Sequence, residues 1–117
     1  MNKLVYAAIA AFAIGTAVAE QQFGVEVYPG AKPEPGVDEF IKTSLKMNGR
    51  AYVTGDSVEK VAAFYKKQPG MTQNPNPDSK QAGFSGKNVD VTVQNPWADM
   101  KSGKMNNTTL VSIVKTK

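Results

Sequence analysis

The chain contains no cysteine and no histidine. Their absence excludes a thiol redox pair, C-x-x-C-H haem attachment, a Cys/His zinc site and any histidine-based catalytic triad. It also excludes disulfides, which small exported domains often use to offset a small core. Packing alone must hold this fold. Strong charge is lacking too. The formal net charge is +4, and no basic run exceeds Lys66-Lys67. No stripe of alternating basic and aromatic residues is present, so nucleic acid is not an expected partner. The charge allows only a weak bias toward anionic surfaces.

A long hydrophobic run is missing as well. The uncharged stretch Leu4 to Ala19 falls short of the ~20 residues that a membrane-spanning helix needs. It follows Lys3 and ends in Ala17-Val18-Ala19, an A-x-A cleavage signature. A basic start, an apolar middle and a small-residue end form the three-part pattern of a secretory signal peptide. Residues 1–19 are therefore expected to be removed between Ala19 and Glu20. The expected product is periplasmic or secreted, with no stable membrane span. Loss of Lys3 lowers the positive charge by one. Residues 20–117 have the length of one domain, which should bury more than ~60% of its unfolded surface.

Along that domain, Gln22 to Tyr28 alternates, with Phe23, Val25 and Val27 expected on one side of a strand. Tyr28-Pro29-Gly30 turns the chain, and Ala31 to Gly36 reads as a connector. Val37 to Met47 predicts a helix, with Asp38 and Glu39 in its first turn, Lys42 and Lys46 further on, and Asn48-Gly49 as its stop. Arg50 to Thr54 is a strand. Asp56 then reads as an N-cap, paired with Glu59 in a box-like arrangement. The helix it opens, Ser57 to Gln68, carries Val58, Val61, Ala62, Tyr65 and Phe64 on one stripe.

Met71 to Gln81 is loop-like. Ala82 to Ser85 is a weak strand, and Gly86-Lys87-Asn88 turns it into Val89, Val91 and Val93, a two-residue alternation. Thr108 to Lys115 carries apolar groups on both faces, which places it near the sheet centre. The order predicts an α+β fold: a small, mainly antiparallel sheet of four to five strands with two helices packed on one face.

Two stretches, Tyr28-Pro29-Gly30-Ala31 and Tyr52 to Tyr65 (YVTGDSVEKVAAFY), make the chain resemble a recurring type of small exported bacterial protein of uncharacterised function. Such proteins pair a Y-P-G-A turn with a Y-x-T-x-D-S-x-x-x-V-x-x-F-Y helix start. The resemblance covers about the first two thirds of residues 20–117. It implies export and an α+β fold, and no activity.

Between the last two strands lies NPWADMKSGKMNN, residues 95–107, too long for a tight hairpin turn; such loops in compact domains are usually functional or disordered. It carries the only tryptophan. Trp97, with Asp99, Met100, Lys101, Lys104, Met105 and Asn107 around it, is a candidate binding surface for a protein or small-molecule ligand. The competing reading is that Trp97 folds back into the core, with its N–H on a backbone carbonyl. Met100 and Met105 are soft donors, but with no histidine and loose spacing they read as gap-fillers rather than a copper site. Ser102-Gly103-Lys104 matches only the tail of a phosphate loop and reads as a turn. Gln94-Asn95 and Asn106-Asn107, at the two strand ends, are amides able to close the loop by bonds to backbone.

The carboxylates Glu26, Glu34, Glu59, Asp78, Asp90 and Asp99 are scattered, without the facing pair a glycosidase requires. Ser57, Ser79, Ser85 and Ser102 lack any nucleophile motif. The expectation is a non-enzymatic binding or accessory module, with no catalytic residue, metal or cofactor. One alternative is a self-associating structural protein, a homodimer joined along an exposed strand edge. The other is a small hydrolase using carboxylate or Ser/Lys chemistry.

Overall fold

The computed structural model describes residues 20–75 and 77–116. The expected leader, residues 1–19, lies outside the described residues. A short hairpin, β1 (Gln21–Gln22) and β2 (Val25–Glu26), comes first. It is followed by β3 (Lys32–Pro33), α1 (Pro35–Thr43), β4 (Asn48–Thr54) and α2 (Val58–Lys66). Then come β5 (Thr72–Gln73), β6 (Gln81–Gly86), β7 (Val89–Gln94), the small pair β8 (Trp97–Ala98) and β9 (Met105–Asn106), and β10 (Thr109–Lys115). The main sheet has six strands in the order β3-β4-β10-β7-β6-β5, and every pairing in it is antiparallel.

The fold is thus α+β around an antiparallel sheet, but the four-to-five-strand expectation is corrected to six. The two added strands, β3 and β5, are two-residue edges in stretches that read as loops. Too short for any period, they form by docking onto β4 and β6.

The expectation of both helices on one face is also corrected. Side chains alternate across a strand. Val111 and Ile113 of β10 align with Val93 and Val91 of β7, and with Tyr52, Phe84 and α2 residues Val58, Val61 and Tyr65 they form the main core. The opposite face carries Leu110, Ser112 and Val114 with Ala51 and Val53. Val37 of α1 packs there with Ala51, Leu110 and Trp97. A Cβ on Gly49 would lie 2.9 Å from Ile41 Cγ2 and 3.1 Å from Val114 Cγ2, so α1 is seated over this second face, close against β4. The central strand β10 is therefore apolar on both faces because a helix lies over each.

Local chemistry explains several boundaries. Phe23 and Gly24 both have positive φ (53° and 83°), so the expected straight strand is a hairpin with a two-residue turn. Its bend leaves Phe23 exposed while Val25 and Val27 stay buried. Helix α1 ends at Thr43, earlier than predicted. Lys46 takes the left-handed conformation (φ 57°), and Asn48-Gly49 joins β4 instead of capping the helix. The Asp38 carboxylate accepts from the Ala51 N–H at 2.6 Å and from Arg50 Nε at 3.0 Å, fastening α1 to β4.

Helix α2 is capped by Ser57, whose Oγ accepts from the Lys60 N–H at 3.1 Å, not by Asp56. The Asp56 carboxylate turns elsewhere, and its Oδ2 accepts from the Tyr28 hydroxyl at 2.6 Å. The Tyr28 N–H donates to the Tyr65 hydroxyl at 3.0 Å. Gly30, at φ 82°, makes the turn that carries Tyr28 into this position. Tyr28-Pro29-Gly30-Ala31 and the stretch Tyr52 to Tyr65 are thus joined by hydrogen bonds.

Candidate functional site

The second face of the sheet is only partly covered. Between α1 and the segment that follows β7 lies a groove of about 320 Å³. Its floor is Leu110, Ser112 and Val114 of β10 beside Thr92 and Gln94 of β7. One wall is Val37, Phe40, Ile41 and Leu45, with Glu34 at the helix start. The other is Trp97, Ala98, Asp99, Met100 and Lys101. Leu110 pairs with Gln94 and Ser112 with Thr92 across the strands, so the floor alternates apolar and hydrogen-bonding side chains along its length. Among the described residues, the side chains of Thr92, Gln94 and Ser112 make no hydrogen bond with the rest of the protein. Leu45 and Met100 form an exposed apolar rim.

The second wall is built by the loop that reads as the working surface. Trp97-Ala98 pairs with Met105-Asn106 as a small antiparallel ribbon. Its base is held at both ends. Asn95 Nδ2 donates to Thr109 Oγ1 at 3.1 Å, and Thr109 Oγ1 donates to the Asp56 carbonyl. Trp97 Nε1 donates to Thr108 Oγ1 at 2.9 Å. The amide closure expected at Asn95 runs to a side chain rather than to backbone. The tip is a turn closed by Asp99, whose Oδ1 accepts from the Lys101 and Ser102 N–H groups. Gly103, at φ 73°, donates its N–H to the Asp99 carbonyl. Those backbone donors, Lys101 first, hold the Asp99 carboxyl below its ordinary pKa.

The structure divides the sequence-predicted residues. Trp97, Asp99, Met100 and Lys101 line the groove, whereas Lys104, Met105 and Asn107 lie outside it. Trp97 is only 5% exposed. It is a core residue over Ala51 and Leu110, the competing reading of its role, and its side chain also lines the groove. Its N–H partner is a threonine hydroxyl rather than a backbone carbonyl. Ser102-Gly103-Lys104 forms part of the turn, as expected.

Sequence reasoning missed the other half of the site: Phe40 and Leu45 on α1, and Thr92, Gln94 and Ser112 on the floor. The polar residues alternating opposite the buried valines are a signal, but they read as solvated when α1 is expected on the other face. Glu34 and Asp99 border the same groove. The two sheet edges are two residues long, one ending in Pro33, and the backbone of Asn74 and Asp78 bonds to β6 beyond β5. No described helix is long and apolar enough to cross a membrane. No protein-family model, curated protein or solved structure matches the chain.

Proposed function

We propose that this protein is an exported, non-enzymatic binding module whose ligand site is the groove between α1 and the Trp97–Lys101 wall. Support for export comes from the leader pattern and from the resemblance to small exported bacterial proteins. One observation carries the binding reading. A groove of about 320 Å³, walled by Phe40, Leu45, Trp97 and Met100, lies over side chains that have no hydrogen-bond partner among the described residues. Small-molecule sites combine apolar walls with a few polar groups and start near this volume.

Trp97, the only tryptophan, reports directly on the site. A neutral apolar fluorophore, N-phenyl-1-naphthylamine, should bind with energy transfer from Trp97 and should be excluded by Leu45→Lys. Transfer that is absent, or unchanged by Leu45→Lys in a folded variant, counts against the groove. Mass spectrometry of exported protein should find Glu20 at the N-terminus, and retention of residues 1–19 would remove the export reading.

A hydrolase reading draws on Glu34 and Asp99 bordering one groove. The turn that consumes the Asp99 carboxylate and keeps it ionised argues against its use as a proton donor, which needs a raised pKa. Edge-to-edge self-association finds little support in edges only two residues long, one of them ending in Pro33.

A further inference from the structure

We infer that the groove takes a small, uncharged amphiphile: an apolar chain or ring ending in a group that both donates and accepts hydrogen bonds, such as a hydroxyl or a primary amide. This rests on the groove being a binding site, and it adds the chemistry of the occupant and its orientation.

Three observations narrow the class. The first is size. About 320 Å³ cannot hold a helix, whose diameter with side chains is about 10–12 Å. Nor can an extended peptide add to the sheet here, because the floor is a sheet face and strand addition requires an edge. A small molecule remains.

The second is the floor. Ser112 and Thr92 are direct cross-strand partners, which puts their Cβ atoms about 4.5–5.5 Å apart. Gln94 lies two residues along β7 on the same face. A hydroxyl donates and accepts, and an amide does both. One ligand hydroxyl or amide can therefore serve Ser112 and Thr92 together. A carboxylate could accept from both hydroxyls and an ammonium could donate to both, so the floor alone does not choose the head; the charges around it do.

The third is charge. The charged residues lining the groove are Glu34, Asp99 and Lys101. Lys101 makes no ion pair among the described residues, but two carboxylates border the same space. An anionic head meets net repulsion. A cationic head finds Asp99 already bound by the N–H groups of Lys101 and Ser102, leaving Glu34 at the helix start, and over the floor it would exchange water for neutral hydroxyls only, a desolvation cost that an uncharged head does not carry. The polar head therefore rests on Ser112 and Thr92, and the apolar body lies between Phe40 and Leu45 on one side and Trp97 and Met100 on the other.

The test is displacement of N-phenyl-1-naphthylamine from the mature protein by three homologous series: straight-chain alcohols, carboxylates and amines. Alcohols should displace it best. Their affinity should rise about fourfold per added methylene until the groove is filled. The double variant Ser112→Ala with Thr92→Val should weaken alcohol binding about three- to tenfold, the loss of one or two net hydrogen bonds. It should weaken alcohol binding more than naphthylamine binding, and far-UV circular dichroism checks that the variant is folded.

Carboxylates or amines outcompeting alcohols of equal length would overturn the uncharged head. Alcohol binding unaltered by the floor variant would overturn the orientation. Failure of the naphthylamine itself to bind would remove the groove as a site, which separates that reading from the ligand class.

Discussion

Replacing Trp97 by alanine tests whether this indole is a structural wall rather than a surface anchor. The side chain is 5% exposed, packs on Ala51 and Leu110 with Val37 and Val53 alongside, and donates to Thr108 Oγ1 at 2.9 Å. Truncating a buried tryptophan costs about 3–5 kcal/mol. Trp97 borders an open groove, so water and the neighbouring Met100 can occupy part of the space. That places the expected loss at the lower end, about 3 kcal/mol. In a domain of this size each kcal/mol lowers the thermal midpoint by roughly 4–8 °C, so the fall should be roughly 12–24 °C.

Far-UV circular dichroism through a urea titration reads the loss without relying on tryptophan emission. The hydrogen-bond part is isolated by a cycle of Trp97→Phe with Thr108→Val, expected to show about 1 kcal/mol of coupling. In the unaltered protein the emission should be blue-shifted and resist iodide. A loss under about 1 kcal/mol, or an indole readily quenched by iodide, would refute the placement of Trp97 in the core.

Other perturbations reach different parts of the molecule. The hydrogen bond to Asp56, helped by burial, pushes the Tyr28 phenol from 10.0 up to about 12. The fold thus favours the protonated form: that stability is complete below pH 10 and disappears as pH rises through about 12. Tyr52 and Tyr65 are also raised, chiefly by burial. Unfolding free energy should therefore fall over this window in both proteins, less steeply in Tyr28→Phe; equal slopes would count against the Tyr28–Asp56 bond. Asp38→Ala removes the acceptor for the Ala51 N–H and should cost about 2 kcal/mol. Arg50→Ala, which loses a mostly exposed ion pair, should cost under about 1 kcal/mol; urea titrations that reverse this order would contradict α1 being fastened through Ala51. Peroxide should oxidise the exposed Met100 and Met105 to sulfoxides, and peptide mapping can follow both. Naphthylamine binding should be protected by Met100→Leu and not by Met105→Leu, since only Met100 lines the groove.

Much of the fold could be read from residue order because its periods are long and consistent. Val89, Val91 and Val93 all face the main core, Asp90 and Thr92 are exposed, and the α2 stripe packs where its spacing directs. The apolar residues on both faces of Thr109–Lys115 correctly put that strand at the centre of the sheet. The turn residues at Gly30 and Asn88 were equally plain, since their backbone conformations suit glycine and asparagine.

Other features depend on contacts between distant parts of the chain. Ser57 and Asp56 are both good caps, and only the reach of the Tyr28 hydroxyl assigns Asp56 elsewhere. Strands β3 and β5 exist because β4 and β6 offer them partners. Of the site, sequence alone isolated Trp97 and its neighbours Asp99, Met100 and Lys101, on the strength of a lone aromatic in a polar loop. It could not separate Met100 from Met105, because both bracket one polar loop and only its folding puts Met100 on the groove and Met105 outside it.

Residue order by itself determined the absence of thiol and imidazole chemistry, the leader pattern, the amphipathic stripe of α2 and the central strand. Tertiary structure decided which face α1 covers. A helix stripe specifies that something apolar must lie beneath it, but not which side of a sheet that is when β10 is apolar on both. The close fit of Ile41 against Gly49 and Val114 and the Asp38 clamp on Ala51 settle that choice. The groove exists because α1 and the Trp97 wall rise on the same side of β10 and leave Ser112 and Thr92 between them.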